Sequence, residues 1–142
     1  TQDSEIKIAS VQALGSVGGP LSIPTILDAY HSEDWRIAAK AATALGEMGD
    51  NSVLDELAAG LTHRVWWVRR NSAAALAALP GGIAVLYRSL TSPDPFARDS
   101  AAEALDDCGE LVKARTRHEQ GEANRDELRL LRHMRGSEAV PA

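Results

Sequence analysis

The sequence predicts an all-α fold, a right-handed solenoid of about four antiparallel helix pairs closed by a C-terminal helix. Three observations carry this expectation. Val68, Ser72, Ala75, Leu76 and Leu79 are spaced i, i+4, i+7, i+8 and i+11, one face of a 3.6-residue helix. The same face recurs 31 residues earlier at Ile37, Ala41, Ala44, Leu45 and Met48, and 31 before that at Ile6, Ser10, Ala13, Leu14 and Val17. It recurs 29 residues later at Ala97, Ala101, Ala104, Leu105 and Cys108, and a face copied at near-constant period marks a repeat array. Second, each of the first three copies is followed by a Gly/Pro/Asn turn and a further apolar helix. Third, the 44% apolar content is mostly alanine and leucine, with one Phe and two Tyr, which suits a core of helices pressed close together.

The array is expected to occupy residues 1–120, as repeats 3–34, 35–64, 65–92 and 93–120, with residues 121–142 forming a capping helix and a frayed tail. In the first repeat, Asp3 or Ser4 can cap a helix running to Val17, which stops at Gly18-Gly19-Pro20. A second helix follows with Ile23, Ile26, Leu27 and Tyr30, and Pro24 sits in its first turn, where its missing N–H costs nothing. The second repeat starts near Trp35, turns at Gly49-Asp50-Asn51 and continues with Leu54, Leu57, Ala58 and Leu61. The third turns at Pro80-Gly81-Gly82, two residues shorter, which accounts for the interval of 29, and continues with Ile83, Leu86, Tyr87 and Leu90.

The fourth repeat keeps its first helix to Cys108, but the second-helix columns then fall on Val112, Arg115, Thr116 and Glu119, of which only Val112 is apolar. A polar outer side is what a terminal repeat needs to stay in solution. Asn124 and Glu127 have capping-box spacing, and the helix they start should lay Leu128, Leu131 and Met134 across the open end and stop at Gly136. At the other end, Ile8 and Val11 stand where later repeats carry Ala39, Arg70 and Asp99, and Ala42, Ala73 and Ala102. They are expected to have packed on a preceding element. With no initiator Met, the chain reads as a piece of a longer repeat protein.

Laid in register, the first helices read IKIASVQALG, IAAKAATALG, VRRNSAAALA and ARDSAAEALD. This resembles the HEAT-like repeats first noted in phycobilisome lyases and common in bacterial scaffold proteins, with a pattern near D-x-x-V-R-x-x-A-A-x-A-L-G. The likeness covers residues 3 to about 112. It implies a ladder of Asp and Arg contacts, here Asp3 with Lys7 and Asp94 with Arg98, with Asp34 reaching Arg69 across repeats. It also implies a concave binding face lined by the second helices.

The residues that could carry function follow from the columns. Trp35 and Trp66 share one with Pro95, and their recurrence predicts packing at the helix start. Trp67 shares another with Glu5, Arg36 and Phe96, a column that tolerates charge, so Trp67 and Phe96 are expected to be half-exposed and to form an aromatic patch on the edge. On the second helices, Thr25, Asp28, Asp55, Glu56, Ala59, Ala84, Arg88 and Ser89 turn away from the core. Asp28, Asp55 and Glu56 beside Arg88 would steer a basic peptide or helix.

Residues 1–110 hold 8 basic and 15 acidic side chains, and residues 111–142 hold 7 and 5, so the array is acidic. That disfavours nucleic acid, whose binding relies on Lys and Arg. Arg125, Arg129 and Arg132 form a stripe on the capping helix, but Glu122, Asp126 and Glu127 lie among them, which suits a solvated cap rather than a membrane surface. His31, His63, His118 and His133 show no metal spacing, and Cys108 falls in the Val17, Met48 and Leu79 column, which assigns it to packing. A single cysteine fits a reducing, cytoplasmic compartment. No catalytic residue, cofactor or metal site is predicted. The expected function is a non-catalytic protein-interaction module or scaffold, using the concave face or the aromatic edge. The alternatives are a HEAT-like DNA-repair glycosylase or a bilin lyase or chaperone.

Overall fold

The computed structural model describes residues 2–139, and its helices follow the predicted turns. The first helices of the four repeats are α1 (Gln2–Val17), α3 (Trp35–Met48), α5 (Trp66–Ala78) and α7 (Pro95–Asp107). Their partners are α2 (Ile23–Tyr30), α4 (Leu54–Gly60), α6 (Gly82–Ser89) and α8 (Glu110–Glu119), and α9 (Arg125–Ala139) closes the end. Short 3-10 turns at Pro20–Ser22 and Asn51–Val53 lead into α2 and α4. The odd-numbered helices stack on one another, and α2, α4 and α6 each lie against the next of them, so neighbouring repeats hold one another in a helical-repeat solenoid.

The predicted face is the core. Val68, Ser72, Ala75, Leu76 and Leu79 are all buried, as are Ile37, Ala41, Ala44 and Leu45, and Ala97, Ala101, Ala104 and Leu105. Leu45, Leu76 and Leu105 share one apolar cluster, and Leu14 is partly buried against it. A second column, Val11, Ala42, Ala73 and Ala102, is buried between successive stacked helices. Small residues set how close those helices come. A methyl group added at Gly15 would stand 2.8 Å from Ala44 Cβ, and one added at Gly46 would stand 2.9 Å from Ala75 Cα. The third interface has Ala77 in that column, and α7 packs less closely on α5 than α3 does on α1 or α5 on α3.

Several expectations need correction. In α1 the buried residues are Ser4, Val11 and Gly15, while Ile6, Ser10, Ala13 and Val17 are exposed. As the end helix, α1 lies on α3 and barely meets α2, so only the side turned to α3 is covered. Val11 is therefore already buried within this chain, not waiting for a preceding element, and Ile8 is half-buried. Asp3 and Ser4 lie inside α1 rather than capping it, and the Ser4 hydroxyl donates to Asp34 Oδ2 at 2.7 Å. The Asp/Arg ladder is also replaced. Arg69 donates to His63 O at 2.7 Å and Arg98 to Ser92 O at 2.8 Å, while Asp34 holds Arg36 at 3.1 Å. Each of the two arginines turns back onto the loop before its own helix. Asp34 and Asp94 cap theirs, accepting from the Arg36 and Phe96 N–H groups.

In the fourth repeat the second helix slips by one residue. Only Cys108 and Gly109 separate α7 from α8, one fewer than between α5 and α6, and Gly109 makes the turn at φ 92°. The inward positions become Leu111 and Ala114, and Val112 is exposed. Cys108 is exposed too, because the chain turns there without the extended residue that carries Leu79 inward. Leu79 goes into extended backbone at ψ 146°, whereas Cys108 has ψ 6°.

The predicted capping box forms. The Glu127 N–H donates to Asn124 Oδ1 at 2.8 Å, and Glu127 Oε1 accepts from the Asn124 N–H at 3.0 Å and from Arg117 Nε at 2.8 Å. Glu127 thereby takes an inner position, so the stripe facing the array is Glu127, Leu130, Leu131 and Met134, with Leu130 buried and Leu128 on the outside. Gly136 keeps helical geometry, and α9 runs through it to Ala139 instead of stopping there. The part of the tail beyond residue 139 lies outside the described residues.

Candidate interaction site

Two surfaces on the stacked helices come together around the third repeat. The first is the edge where these helices begin. Trp35, Trp66, Trp67 and Phe96 are 39%, 44%, 49% and 50% exposed. Among six Trp, Tyr and Phe residues these four share one edge, while Tyr30 and Tyr87 are buried. Trp35 and Trp66, expected to pack, are on the surface because the first helical residue precedes the first inward one, Ile37 or Val68. Trp67 and Phe96 are half-exposed.

Arginines lie against these rings. The Trp66 and Trp67 rings meet edge to face at 4.8 Å and 71°. Arg70 Cζ stands 5.9 Å from the Trp66 ring centre and Arg69 Cζ 4.2 Å from that of Phe96. Among the described residues, no ring contact joins Trp67 to Phe96: Trp67 turns to Trp66, and Arg69 covers Phe96. The edge thus carries Trp, Phe and Arg, the side chains over-represented at protein interfaces.

The second surface is a groove of about 230 Å³ between α5 and α7. Trp66 and Arg70 stand at its helix-start end, alanines 73, 74, 77 and 104 line its length with Glu103 midway, and Asp107 and Cys108 lie toward the other end. Ala77, which stands where Gly15 and Gly46 allow close approach, lines this groove, and sequence reasoning missed the groove.

The loop into α5 differs from its neighbours. The hydroxyls of Ser32 and Ser92 accept the N–H groups of Asp34 and Asp94, the caps of α3 and α7. In the third repeat, His63 Nδ1 accepts the Val65 N–H at 2.9 Å, and Val65 supplies no side-chain cap to α5. Burial, with Arg64 and Arg69 nearby, holds the His63 imidazole below its usual pKa, so the neutral form that can accept is favoured.

The second-helix face is more open. Asp28, Asp55 and Arg88 are exposed and make no ion pair among the described residues, and Asp28 and Arg88 occupy the same column two repeats apart. Glu56 is half-buried, with one carboxylate oxygen shielded from solvent. Asp28 also lines a cleft of about 480 Å³ between α1 and α2 with Lys7, Val11, Leu14 and His31. On α9, Arg125 and Arg132 are exposed and Arg129 pairs with Asp126 at 3.2 Å. Among the described residues no three His, Cys, Asp or Glu side chains are arranged to hold a metal ion, and no helix is long and apolar enough to cross a membrane.

A family model described as HEAT repeats matches residues 1–78, more than half of the chain. The match does not single out the phycobilisome-lyase type. No curated protein matches the chain.

Proposed function

Since the chain belongs to the HEAT repeat family, whose members are generally protein-interaction scaffolds and typically non-enzymatic, we propose that it binds a protein partner through the aromatic edge. The supporting observation is the exposure of Trp35, Trp66, Trp67 and Phe96 on consecutive repeats. Leaving about half of each ring in water forgoes part of its burial, on the order of 1 kcal/mol a ring against roughly 1.5–3 kcal/mol for a fully exposed large apolar side chain, unless a partner covers it. Arg69, buried and bonded to His63 O, backs the Phe96 ring, while the exposed Arg70 beside Trp66 provides donors for a partner's carbonyl and carboxylate oxygens.

The test compares two variants in affinity capture from the native lysate with identification of the retained proteins. Trp67→Ala/Phe96→Ala removes the two most exposed of the edge's four rings, and Asp28→Lys/Asp55→Lys reverses charge on the second-helix face. The edge variant should stay folded by circular dichroism and lose the partners that wild type retains, while the charge variant keeps them. Retention of every partner by the edge variant refutes this reading, and loss by the charge variant alone moves the site to the second-helix face.

A further inference from the structure

We propose that the α5–α7 groove receives a lysine or arginine from the bound segment of the partner, with the aliphatic stem on the alanines and the cation at Glu103 and Asp107. This deepens the proposed function and rests on it, because Trp66 belongs to both the edge and the groove.

Size selects a side chain. At about 230 Å³ the groove is smaller than the roughly 300–1,000 Å³ typical of drug-sized and cofactor pockets. Its walls select an apolar stem, since alanines from both helices line its length. Charge selects the tip. Glu103 and Asp107 are one helical turn apart on α7, both exposed, and neither has an ion-pair or hydrogen-bond partner among the described residues. Two like charges at i and i+4 repel, and a cation between them turns that repulsion into attraction.

Arg70 fixes the direction. It lies at the Trp66 end, four residues before Ala74, which is level with Glu103 in the repeat, and eight before the level of Asp107, or roughly 6 and 12 Å along the helix at 1.5 Å per residue. The groove therefore runs from positive to negative, and an incoming cation is drawn away from Arg70 toward Glu103 and Asp107. An acidic side chain meets the opposite field.

The probe is a random twelve-residue peptide library displayed on phage and panned against the full chain. Recovered peptides are then synthesised and measured by fluorescence anisotropy. Peptides that bind should carry a Lys or Arg next to apolar residues, and Glu103→Lys/Asp107→Lys should weaken them about tenfold or more, the effect of an anchor residue. Ala74→Leu, which fills the groove from an exposed position without changing charge, should weaken them as well. Cys108 is the single cysteine and lines the groove, so bound peptide should slow its alkylation by N-ethylmaleimide. Failure to recover basic peptides, unchanged affinity in both groove variants, or unslowed alkylation of Cys108 overturns the proposal. If Trp67→Ala/Phe96→Ala still abolishes binding in that case, the edge reading stands alone. If that variant also binds like wild type, both readings fall.

Discussion

Gly46→Ala tests whether contact between stacked helices limits the packing of this array. The added methyl would lie 2.9 Å from both Cα and Cβ of Ala75, closer than real Cβ contacts come, and one of the two atoms belongs to backbone that cannot rotate away. Overpacking of this kind costs about 1–3 kcal/mol. Against it stands the gain of about 1 kcal/mol for replacing glycine by alanine inside a helix. The net expectation is a loss of about 1 kcal/mol, or roughly 3 °C in Tm for a chain of this length. Gly136→Ala is the control, since nothing lies within 4 Å of that position in α9, and it should gain about 0.5–1 kcal/mol. Urea denaturation followed at 222 nm gives both values. Adding Ala75→Gly to Gly46→Ala should recover part of the loss, a coupling that unrelated sites do not show. A Gly46→Ala protein as stabilised as Gly136→Ala would falsify the close-approach account.

Further outcomes follow from single contacts. The buried Tyr30 hydroxyl hydrogen-bonds Ser72 Oγ, burial pushes its pKa up to about 12, and a Cβ at Gly60 would overlap that hydroxyl. Tyr30→Phe should cost about 1–2 kcal/mol in chemical denaturation, and Gly60→Ala should cost less in that background than in wild type. His63 resists protonation in the folded state while the unfolded chain titrates near the ordinary value of about 6.5. Its contribution is thus complete above that pH and is lost as pH falls toward and through the lower folded value, and His63→Ser should flatten the Tm profile across that window. Asn124→Ala breaks the capping box of α9 and should cost about 1 kcal/mol by thermal melting, with no loss meaning that the cap adds nothing. Val65→Asp should give α5 the cap that Asp34 and Asp94 give α3 and α7, raising stability by about 1 kcal/mol, and a lower Tm would show that Val65 is there for packing.

The interior was legible in the sequence because each repeat meets the same neighbours, so a column reports one environment four times. Leu45, Leu76 and Leu105 are buried for that shared reason. The capping box was legible because it is local, with partners three residues apart. Inference failed where an environment is not shared. The outer face of α1 has no helix on it, and the inward stripe of α8 moved when the preceding turn lost one residue. The tryptophans mark a different limit. Recurrence at Trp35 and Trp66 does report a common position, but the position is the helix start, which lies at the surface. Their side chains were misread because recurrence specifies sameness and not depth.

The first and fourth repeats depart from the pattern at the ends of the array, whereas the departures of the third lie in its interior, and these favour the third repeat for the proposed contact over any single residue in it. Around α5, His63 replaces the serines at 32 and 92, and Val65 replaces the capping aspartates. Two tryptophans occupy the helix start, Ala77 replaces the close-packing glycines, and the turn to α6 shortens. An array under selection for stacking alone would keep its cap and its close-packed column, since each contributes to stability and neither burdens a neighbour. Here both are given up within one repeat, and the same repeat carries the exposed rings and opens the groove. The position of these losses beside Trp66 and Trp67, inside the array and not at an end that lacks a neighbour, is what the proposed contact at that edge would exact from the scaffold.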